Sequence, residues 1–338
     1  MRAIYIEKPG GVETLKVRAV PDPRPKPGEV LIRVKAAGIN FADVLARQGI
    51  YPAVKKYPMV PGYEVAGVIE AIGDGIDPRW RGIEVLALTD FGGYAELVTC
   101  DARYVWAKPT ALSFEQAAAI PLNYITAWGL LVAMGGLAKG DTVLIHNAGG
   151  GVGLAALDIA QHLGAISIGT ASARKHAFLK ARGCTHCLDY AQADWPEQVM
   201  KLTGHCGVEL AIDPIGGKSW AQTYSVLRPT GRIGMFGISS AAVGGLRAKW
   251  EMVKLALAAP FFHPLKLIPG NRGAYGINIH SMYGEHTKFN AWMGAVLNGV
   301  GEGWVRPHVD TTFPFSEAGT AHTYIEKRRN IGKVLLVP

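Results

Sequence analysis

The spacing of hydrophobic and polar residues follows two different patterns along the chain, and the pattern changes near residue 121. Before it, short apolar runs rich in β-branched residues, such as Val30–Val34 and Val65–Ile72, alternate with proline-rich or glycine-rich turns. Short runs bounded by turn residues are typical of β-strands. The first part of the sequence therefore predicts a β-rich, barrel-like domain.

From Leu122 to about Gly284, short apolar runs alternate with segments of helical spacing. Such alternation predicts an α/β fold with a doubly wound parallel sheet and crossover helices. The predicted strands are Thr142–Asn147, Ala165–Thr170, His186–Asp189, Val208–Asp213, Arg232–Gly237 and Gly276–Met282. The predicted helices include Lys175–Arg182 and Ser219–Leu227.

The last part of the sequence predicts a return to the first domain. An amphipathic helix runs from Gly284 to about Asn298, and the chain ends in an apolar strand at Gly332–Pro338. We therefore expect one domain formed by residues 1–121 and 284–338, and a second formed by residues 122–283.

A glycine-rich turn, Ala148–Gly153, lies between a predicted strand and a predicted helix. Glycines let the chain turn sharply and bring main-chain N–H groups close to a pyrophosphate, and the helix N-terminus adds positive charge. Glycine-rich loops also occur for conformational reasons alone, so a plain structural turn is the alternative. The strand, turn, helix and second strand together favour dinucleotide binding, with Gly150, Gly151 and Val152 at the phosphates.

The end of the second predicted strand indicates which dinucleotide binds. NAD-binding proteins usually carry Asp or Glu there, about twenty residues beyond the glycines, to bind the ribose 2′-OH. This chain has no acid in Thr170–Lys175 and instead has Arg174 and Lys175, which suit a 2′-phosphate. The alternative is that the two cations only begin a solvated helix. We expect NADP(H), bound by Thr170, Ser172, Arg174 and Lys175.

Composition and charge exclude several classes of protein. A hydrophobic content of 49% and a charged content of 18% are typical of a packed globular enzyme. The net charge of +8 and the pI of about 9.2 suit an anionic cofactor. Because the basic residues are spread along the chain and form no long run, no nucleic-acid partner is expected.

Four cysteines are too few and too irregularly spaced for a disulfide framework. Cys184 and Cys187 form a C-x-x-C pair, but no second pair follows at zinc-ribbon spacing, so packing is the better interpretation. The N-terminal sequence enters a strand without a signal-peptide pattern, which predicts a cytoplasmic location.

The chain resembles the medium-chain dehydrogenase/reductase superfamily, in which a β-rich domain precedes an Ala-Gly-Gly-Gly-Val-Gly turn. Within it, the chain is similar to the zinc-independent quinone oxidoreductases related to zeta-crystallin. The segments that resemble the branch of the synaptic-vesicle amine-transport protein homologues are Asn40–Tyr51, Asn123–Ala127, Gly169–His176 and Asp213–Gly217. The resemblance covers nearly the whole chain and implies a GroES-like β-barrel catalytic domain plus a Rossmann domain. Substrates in this branch are diverse.

The resemblance also implies that no metal is bound. Zinc-dependent relatives have a Cys where this chain has Asn40 and a His where it has Tyr63, and the remaining ligand position falls near Leu122. Zinc requires thiolate, imidazole or carboxylate ligands, which these residues do not offer. Without a Lewis acid, simple alcohol oxidation is disfavoured. Hydride addition to a quinone or an enone is easier, because the developing charge is delocalised and hydrogen-bond donors stabilise it.

Four residues are candidates for catalysis. Tyr51 matches the site where related enoyl reductases carry a tyrosine proposed to protonate the enolate, although it could instead only cap a loop while solvent is the acid. Asn40 would hydrogen-bond near the nicotinamide or a substrate oxygen, and Asp43 would orient neighbouring groups. Asn123 is either a polar pocket residue or a helix cap.

The resemblance further implies nucleotide contacts along the second domain and near the end of the chain. Tyr190 and Arg328 would flank the adenosine phosphate, and Asn330 would approach the dinucleotide. The residues that would line its path are Thr126, Phe236, Gly237 and Ile238.

Lys249–Pro269 is apolar with scattered cations, and it is too short and too broken by proline to span a bilayer. It would cover the substrate cleft or pack against a second subunit, and a membrane-surface role is the less favoured alternative. With the predicted strand Gly276–Met282 it predicts a homodimer. Two functions remain: an NADPH-dependent quinone or enone reductase, or a nucleotide-binding scaffolding protein without turnover.

Overall fold

The structure is a computed structural model that describes residues 1–241 and 245–338, without the side chains of residues 245–249, 251 and 266. The strands are β1 (Arg2–Ile6), β2 (Leu15–Ala19), β3 (Glu29–Ile39), β4 (Glu64–Ile72), β5 (Glu84–Leu88), β6 (Leu97–Asp101), β7 (Val105–Ala107), β8 (Thr142–Ile145), β9 (Ile166–Ala171), β10 (His186–Asp189), β11 (Val208–Asp213), β12 (Leu227–Met235), β13 (Gly273–Gly276), β14 (Val309–Pro314) and β15 (Lys333–Val337). The helices are α1 (Phe41–Arg47), α2 (Phe114–Ala118), α3 (Pro121–Trp128), α4 (Gly151–His162), α5 (His176–Ala181), α6 (Trp195–Leu202), α7 (Lys218–Ser225), α8 (Gly245–Ala258), α9 (Pro264–Gly270), α10 (His286–Glu302) and α11 (Ala318–Glu326).

The chain divides into two compact units. The first contains Met1–Ile125, His280–Gly301 and Pro307–Pro338. The second contains Thr126–Ile279 and Glu302–Arg306.

The first unit is built on a mainly antiparallel sheet with the strand order β14-β15-β3-β4-β5-β7, and β6 also pairs with β3. The long strand β3 therefore has β4, β6 and β15 as neighbours, and its side chains are largely buried. β15 returns from the far end of the sequence to pair with β3, where Val334 lies opposite Ile39.

The second unit contains a six-stranded parallel sheet with the order β10-β9-β8-β11-β12-β13. From β8 the chain moves outward through β9 to β10 and then crosses back to β11, so the order reverses between β8 and β11. This confirms the predicted α/β fold with a Rossmann-type parallel sheet. Ligands of such sheets bind at the carboxyl ends of the strands where the order reverses.

One predicted strand is wrong. Gly276–Met282 is not a strand, because β13 ends at Gly276 and a 3₁₀ turn occupies His280–Met282. β13 is Gly-Ala-Tyr-Gly, which has low intrinsic strand propensity and forms only because it pairs with Arg232–Met235. The predicted helix Ser219–Leu227 also ends early, at Ser225, since Leu227 already belongs to β12.

None of the helices in the described part of the chain combines the length and the apolar character that crossing a membrane requires.

Candidate functional site

The glycine-rich turn of the second unit lies at the carboxyl end of β8, where the strand order reverses. The turn begins with Asn147 at a φ of 53°, a left-handed conformation that Asn tolerates better than most residues. Its backbone is fixed on both sides, since Ala148 N donates to Thr170 O at 3.0 Å and Gly150 N donates to Asn147 O at 2.9 Å. The turn is thus held against the end of β9.

Helix α4 starts directly from this turn, and its glycines are required by close packing. A Cβ on Gly153 would lie 2.3 Å from Asn147 O and 2.6 Å from Ala148 O, which no side chain can occupy. Gly150 is the N-cap residue and has no side chain to cap the first N–H groups of the helix. These N–H groups and the helix dipole together suit a phosphate.

Lys175 lies against the glycine turn. Only 5% of its surface is exposed, and a Cβ on Gly149 would lie 2.8 Å from Lys175 Cδ and 3.7 Å from Lys175 Nζ. Lys175 precedes α5 but is not solvated. Arg174 is exposed beside it, Ser172 is half-buried and Thr170 is buried at the end of β9. The Lys175 side chain thus lies beside the glycine turn, and its contact with a nucleotide phosphate stays a prediction.

The other predicted nucleotide contacts lie in several parts of the chain, and their roles stay predictions. Phe236, Gly237 and Ile238 directly follow β12, and Phe236 N donates to Asp213 O at 3.3 Å. Thr126 is buried in α3, and Tyr190 is exposed after β10. Arg328 and Asn330 belong to the first unit, between α11 and β15.

In the first unit, Asn40 and Asp43 form a capping box at the start of α1. Asn40 N donates to Asp43 Oδ2 at 2.8 Å. Asp43 also accepts from Gly62 N at 3.0 Å and from the Tyr94 hydroxyl at 3.0 Å. Asp43 is fully buried, and burial raises its pKa to about 7, although these hydrogen bonds and Lys333 act to lower it. The carboxyl group thus accepts from three donors, and its role in orienting neighbouring groups stays a prediction.

A buried ion pair holds the other side of Asn40. Lys333 Nζ donates to Asn40 Oδ1 at 2.6 Å and forms an ion pair with Glu64 Oε1, which accepts from Asn40 Nδ2 at 2.9 Å. Glu64 Oε2 accepts from Leu122 N at 2.8 Å in the first turn of α3. Glu64 thus connects Asn40 to this turn of α3.

Tyr51 lies in a group of rings in the first unit. Its ring centroid is 5.9 Å from that of Tyr63 and 6.5 Å from that of His280. Phe91, at a φ of 66°, packs 4.8 Å from Tyr63 and 5.6 Å from His280. Burial raises the pKa of Tyr63 above its ordinary value, so this phenol stays protonated at neutral pH. The surroundings of Tyr51 are aromatic and offer flat surfaces.

Asn123 has a structural partner. Its side-chain amide donates to Ala119 O at 3.0 Å, and Ala119 is the C-cap residue of α2. Asn123 lies inside α3 and not at an N-cap, and its role as a polar pocket residue stays a prediction.

Comparisons with known proteins agree with this architecture. The family described as "Alcohol dehydrogenase GroES-like domain" matches residues 26–110, and the one described as "Zinc-binding dehydrogenase" matches residues 182–336. The Mus musculus "Synaptic vesicle membrane protein VAT-1 homolog" is 35% identical over 100% of this chain and 84% of its own length. The chain belongs to the medium-chain dehydrogenase/reductase superfamily. The predicted branch of this superfamily, that of the VAT-1 homologues, is thereby confirmed.

Two further relatives in the superfamily are quinone oxidoreductases. The Rattus norvegicus "Quinone oxidoreductase" is 30% identical over 100% of this chain and 98% of its own length. The solved Escherichia coli quinone oxidoreductase, complexed with NADPH, has a TM-score of 0.89 at 27% identity and covers both chains fully. The chain is therefore an oxidoreductase of the quinone oxidoreductase type within this superfamily.

The positions that hold zinc in metal-dependent members of the superfamily have other partners here. Asn40 is bonded to Lys333 and Glu64, and Leu122 contributes its backbone N–H to Glu64. In residues 1–241 and 245–338, no group of three or more His, Cys, Asp or Glu residues could hold a metal ion.

Sequence reasoning missed the ion pair of Glu64 and Lys333 and the partners of His146. His146 follows β8, and its two ring nitrogens lie 3.0 Å from Thr170 Oγ1 and 2.9 Å from Thr223 Oγ1. Thr223 Oγ1 in turn donates to Asp213 Oδ2 at 2.8 Å. An acid at the head of β4 and a lysine at the head of β15 were the available signals for the ion pair.

Proposed function

We propose that the chain is an NADPH-dependent, zinc-independent reductase of quinones or α,β-unsaturated carbonyl compounds. Its membership of the superfamily and the NADPH held by a solved quinone oxidoreductase support this proposal. The cofactor NADPH, when bound, supplies a hydride. The glycine turn would hold its diphosphate, while Lys175 and Arg174 would bind the 2′-phosphate.

The observation that carries the zinc-independent part is the buried ammonium group of Lys333. It lies 2.6 Å from Asn40 Oδ1, where it would repel a divalent cation from this side chain. Without a Lewis acid, the oxygen of the acceptor depends on hydrogen-bond donors for stabilisation as it gains charge. Asn40 is the side chain proposed to donate one of these bonds.

Tyr51 is proposed as the group that returns a proton. In conjugate reduction a hydride adds to the β-carbon, the electron pair moves to the carbonyl oxygen, and a proton completes the product at the α-carbon. A protonated phenol can supply this proton, and water is the alternative source. The rings around Tyr51 favour a flat, conjugated acceptor over a saturated one.

A spectrophotometric assay tests the proposed function. Purified protein is mixed with NADPH and a panel of ortho-quinones, para-quinones, enones and saturated ketones, and loss of the reduced nicotinamide is followed. Oxidation with the conjugated acceptors and none with the saturated ketones supports the proposal. If NADPH binds by calorimetry but every acceptor leaves it reduced, the chain is instead a nucleotide-binding scaffolding protein.

We also propose a homodimer that is located in the cytoplasm. Along α8, α9 and the loop between them, Trp250, Val253, Leu257, Phe261, Leu265 and Ile268 are each at least half exposed. β13 follows at once and is an edge strand, so a second copy could cover the apolar surface and extend the sheet. Leu257→Arg should give a monomer by sedimentation, whereas Met134→Arg, another exposed apolar position, should leave the assembly unchanged.

A further inference from the structure

Lys333 is a buried lysine. It is the first residue of β15, only 3% of its side chain is exposed, and its backbone N–H donates to His308 O at 2.9 Å. A lysine is almost never buried to this extent unless its charge is paired. Here the ammonium group is paired with Glu64, whose side chain is fully buried, and it also contacts the carboxamide of Asn40.

These two partners leave the Asn40 carboxamide only one orientation. An ammonium group can only donate hydrogen bonds, and an ionised carboxylate can only accept them. Oδ1 must therefore face Lys333, and Nδ2 must face Glu64. A flipped amide would place its NH₂ against the ammonium and its oxygen against the carboxylate, so both contacts would become repulsive.

One hydrogen of Asn40 Nδ2 is left after the bond to Glu64. Its other contact is long, with Gly38 O at 3.5 Å, which is at the outer limit of a hydrogen bond. The same nitrogen can therefore donate to a carbonyl oxygen. The charge of Glu64 polarises the amide, so the remaining N–H becomes a donor of fixed direction.

We propose that Lys333 and Glu64 are positioning residues that hold the Asn40 carboxamide with its N–H directed to the oxygen of the electron acceptor. This role rests on the proposed function. In this role Lys333 acts on the substrate only through Asn40.

A bare structural ion pair is the competing explanation, and the chain provides a matched control for it. Lys108 is also a buried lysine of the first unit, with 5% of its side chain exposed. It pairs with Glu84 at 3.1 Å and donates to Leu112 O at 2.6 Å. Lys108→Met removes the ion pair of a buried lysine with a half-exposed carboxylate, and the partners of Lys108 lie outside the Asn40 cluster.

The first measurement reports the amide itself. In protein labelled with ¹⁵N-asparagine, the Asn40 side-chain resonances are assigned by their loss in Asn40→Ser. Lys333→Met and Glu64→Gln should change the chemical shifts of both Nδ2 protons. The first variant removes the ammonium group, and in the second the glutamine can pair with either orientation of the Asn40 amide. Lys333→Arg should change these shifts less, and Lys108→Met should leave them unchanged.

The second measurement separates positioning from stability. Lys333→Met should lower kcat/KM for the acceptor by about tenfold or more, since a donor that is not pre-aligned stabilises the charged oxygen less. The Kd for NADPH should stay within about twofold of wild type, and Lys333→Arg should recover part of the loss. Lys108→Met should lower the melting temperature without changing kcat/KM.

The outcomes are distinct. Unchanged amide resonances, or shifted resonances with an unchanged kcat/KM, would overturn the positioning role. If the wild type oxidises no NADPH with any acceptor, the proposed function fails and with it the role toward an acceptor, while the resonances alone decide whether Lys333 fixes Asn40. If Lys333→Met does not fold, both the amide resonances and kcat/KM are measured on Lys333→Arg and Glu64→Gln instead.

Discussion

The hydroxyl group of Tyr94 donates a 3.0 Å hydrogen bond to Oδ2 of Asp43, and both side chains are fully buried. Burial raises the pKa of Tyr94 well above its ordinary value, and the nearby Asp43 adds to the effect. Tyr94 is therefore a permanent donor to a carboxyl group whose own pKa is raised to about 7.

The titration of Asp43 predicts how stability depends on pH. Its pKa rises from 3.8 in the unfolded chain to about 7 in the folded one, so the stability it contributes is complete below pH 3.8 and is lost as the pH rises through 7. In urea unfolding, the free energy of unfolding of wild type minus that of Asp43→Asn should fall by at most about 1.4 kcal/mol per pH unit across this range. A difference that is constant with pH would contradict the raised pKa.

His322 predicts the opposite trend. It is fully buried, 6.1 Å from the Tyr94 ring, and burial followed by the charge of Arg47 lowers its pKa to about 3. Its contribution to stability is complete above pH 6.5 and is lost as the pH falls through about 3. His322→Leu should therefore lose less stability than wild type on acidification. Parallel acid-unfolding curves for the two proteins would refute the prediction.

Gly153→Ala should strongly weaken nucleotide binding. The new Cβ would meet the Asn147 and Ala148 carbonyl oxygens at 2.3 and 2.6 Å, so the turn or α4 must move. Calorimetry should show a loss of NADPH affinity of about a hundredfold or more, because the phosphate-facing N–H groups lose their alignment. Gly294→Ala in α10, where nothing lies within 4 Å of the new Cβ, should bind like wild type. Wild-type affinity in Gly153→Ala would show that the turn does not hold phosphate.

Lys175→Ala and Arg174→Ala should reduce binding of NADPH more than that of NADH. Each substitution removes a cation proposed to contact the 2′-phosphate, which NADH lacks, and a charge-assisted bond of this kind is worth about tenfold in affinity or more. Fluorescence titration with both nucleotides gives the ratio of Kd values. Lys180→Ala, an exposed lysine one turn further along α5, serves as the control. Equal losses for the two nucleotides would rule out a contact with the 2′-phosphate.

Tyr51→Phe should lower kcat for enones by about tenfold to a thousandfold while the Kd for NADPH is unchanged, because the ring is kept and only the hydroxyl group is removed. The pH profile of kcat distinguishes the two proton donors, since the rate of protonation by water depends on pH differently from the rate of protonation by a phenol. Unchanged turnover would show that water donates the proton, and the proposed reductase activity would still stand.

The sequence predicted the parts of the fold that depend on local pattern. His186–Asp189 and Val208–Asp213 have the predicted bounds, because apolar runs between turn residues define a buried parallel strand. β13 was missed because Gly273–Gly276 becomes a strand only by pairing with β12. The pairing of Glu64 with Lys333 was missed for a similar reason, since the two residues are brought together by tertiary folding and no local spacing connects them.

The position of β15 sets an order on the folding of the two units. β15 lies inside the first sheet, between β14 and β3, although most of the chain separates it from β3 in sequence. During synthesis the Rossmann-type unit, whose strands all come from one stretch of sequence, is complete while the first unit still lacks an interior strand. The nucleotide-binding half can therefore mature on the ribosome first, whereas the half that contains Asn40 must wait for its closing strand to emerge.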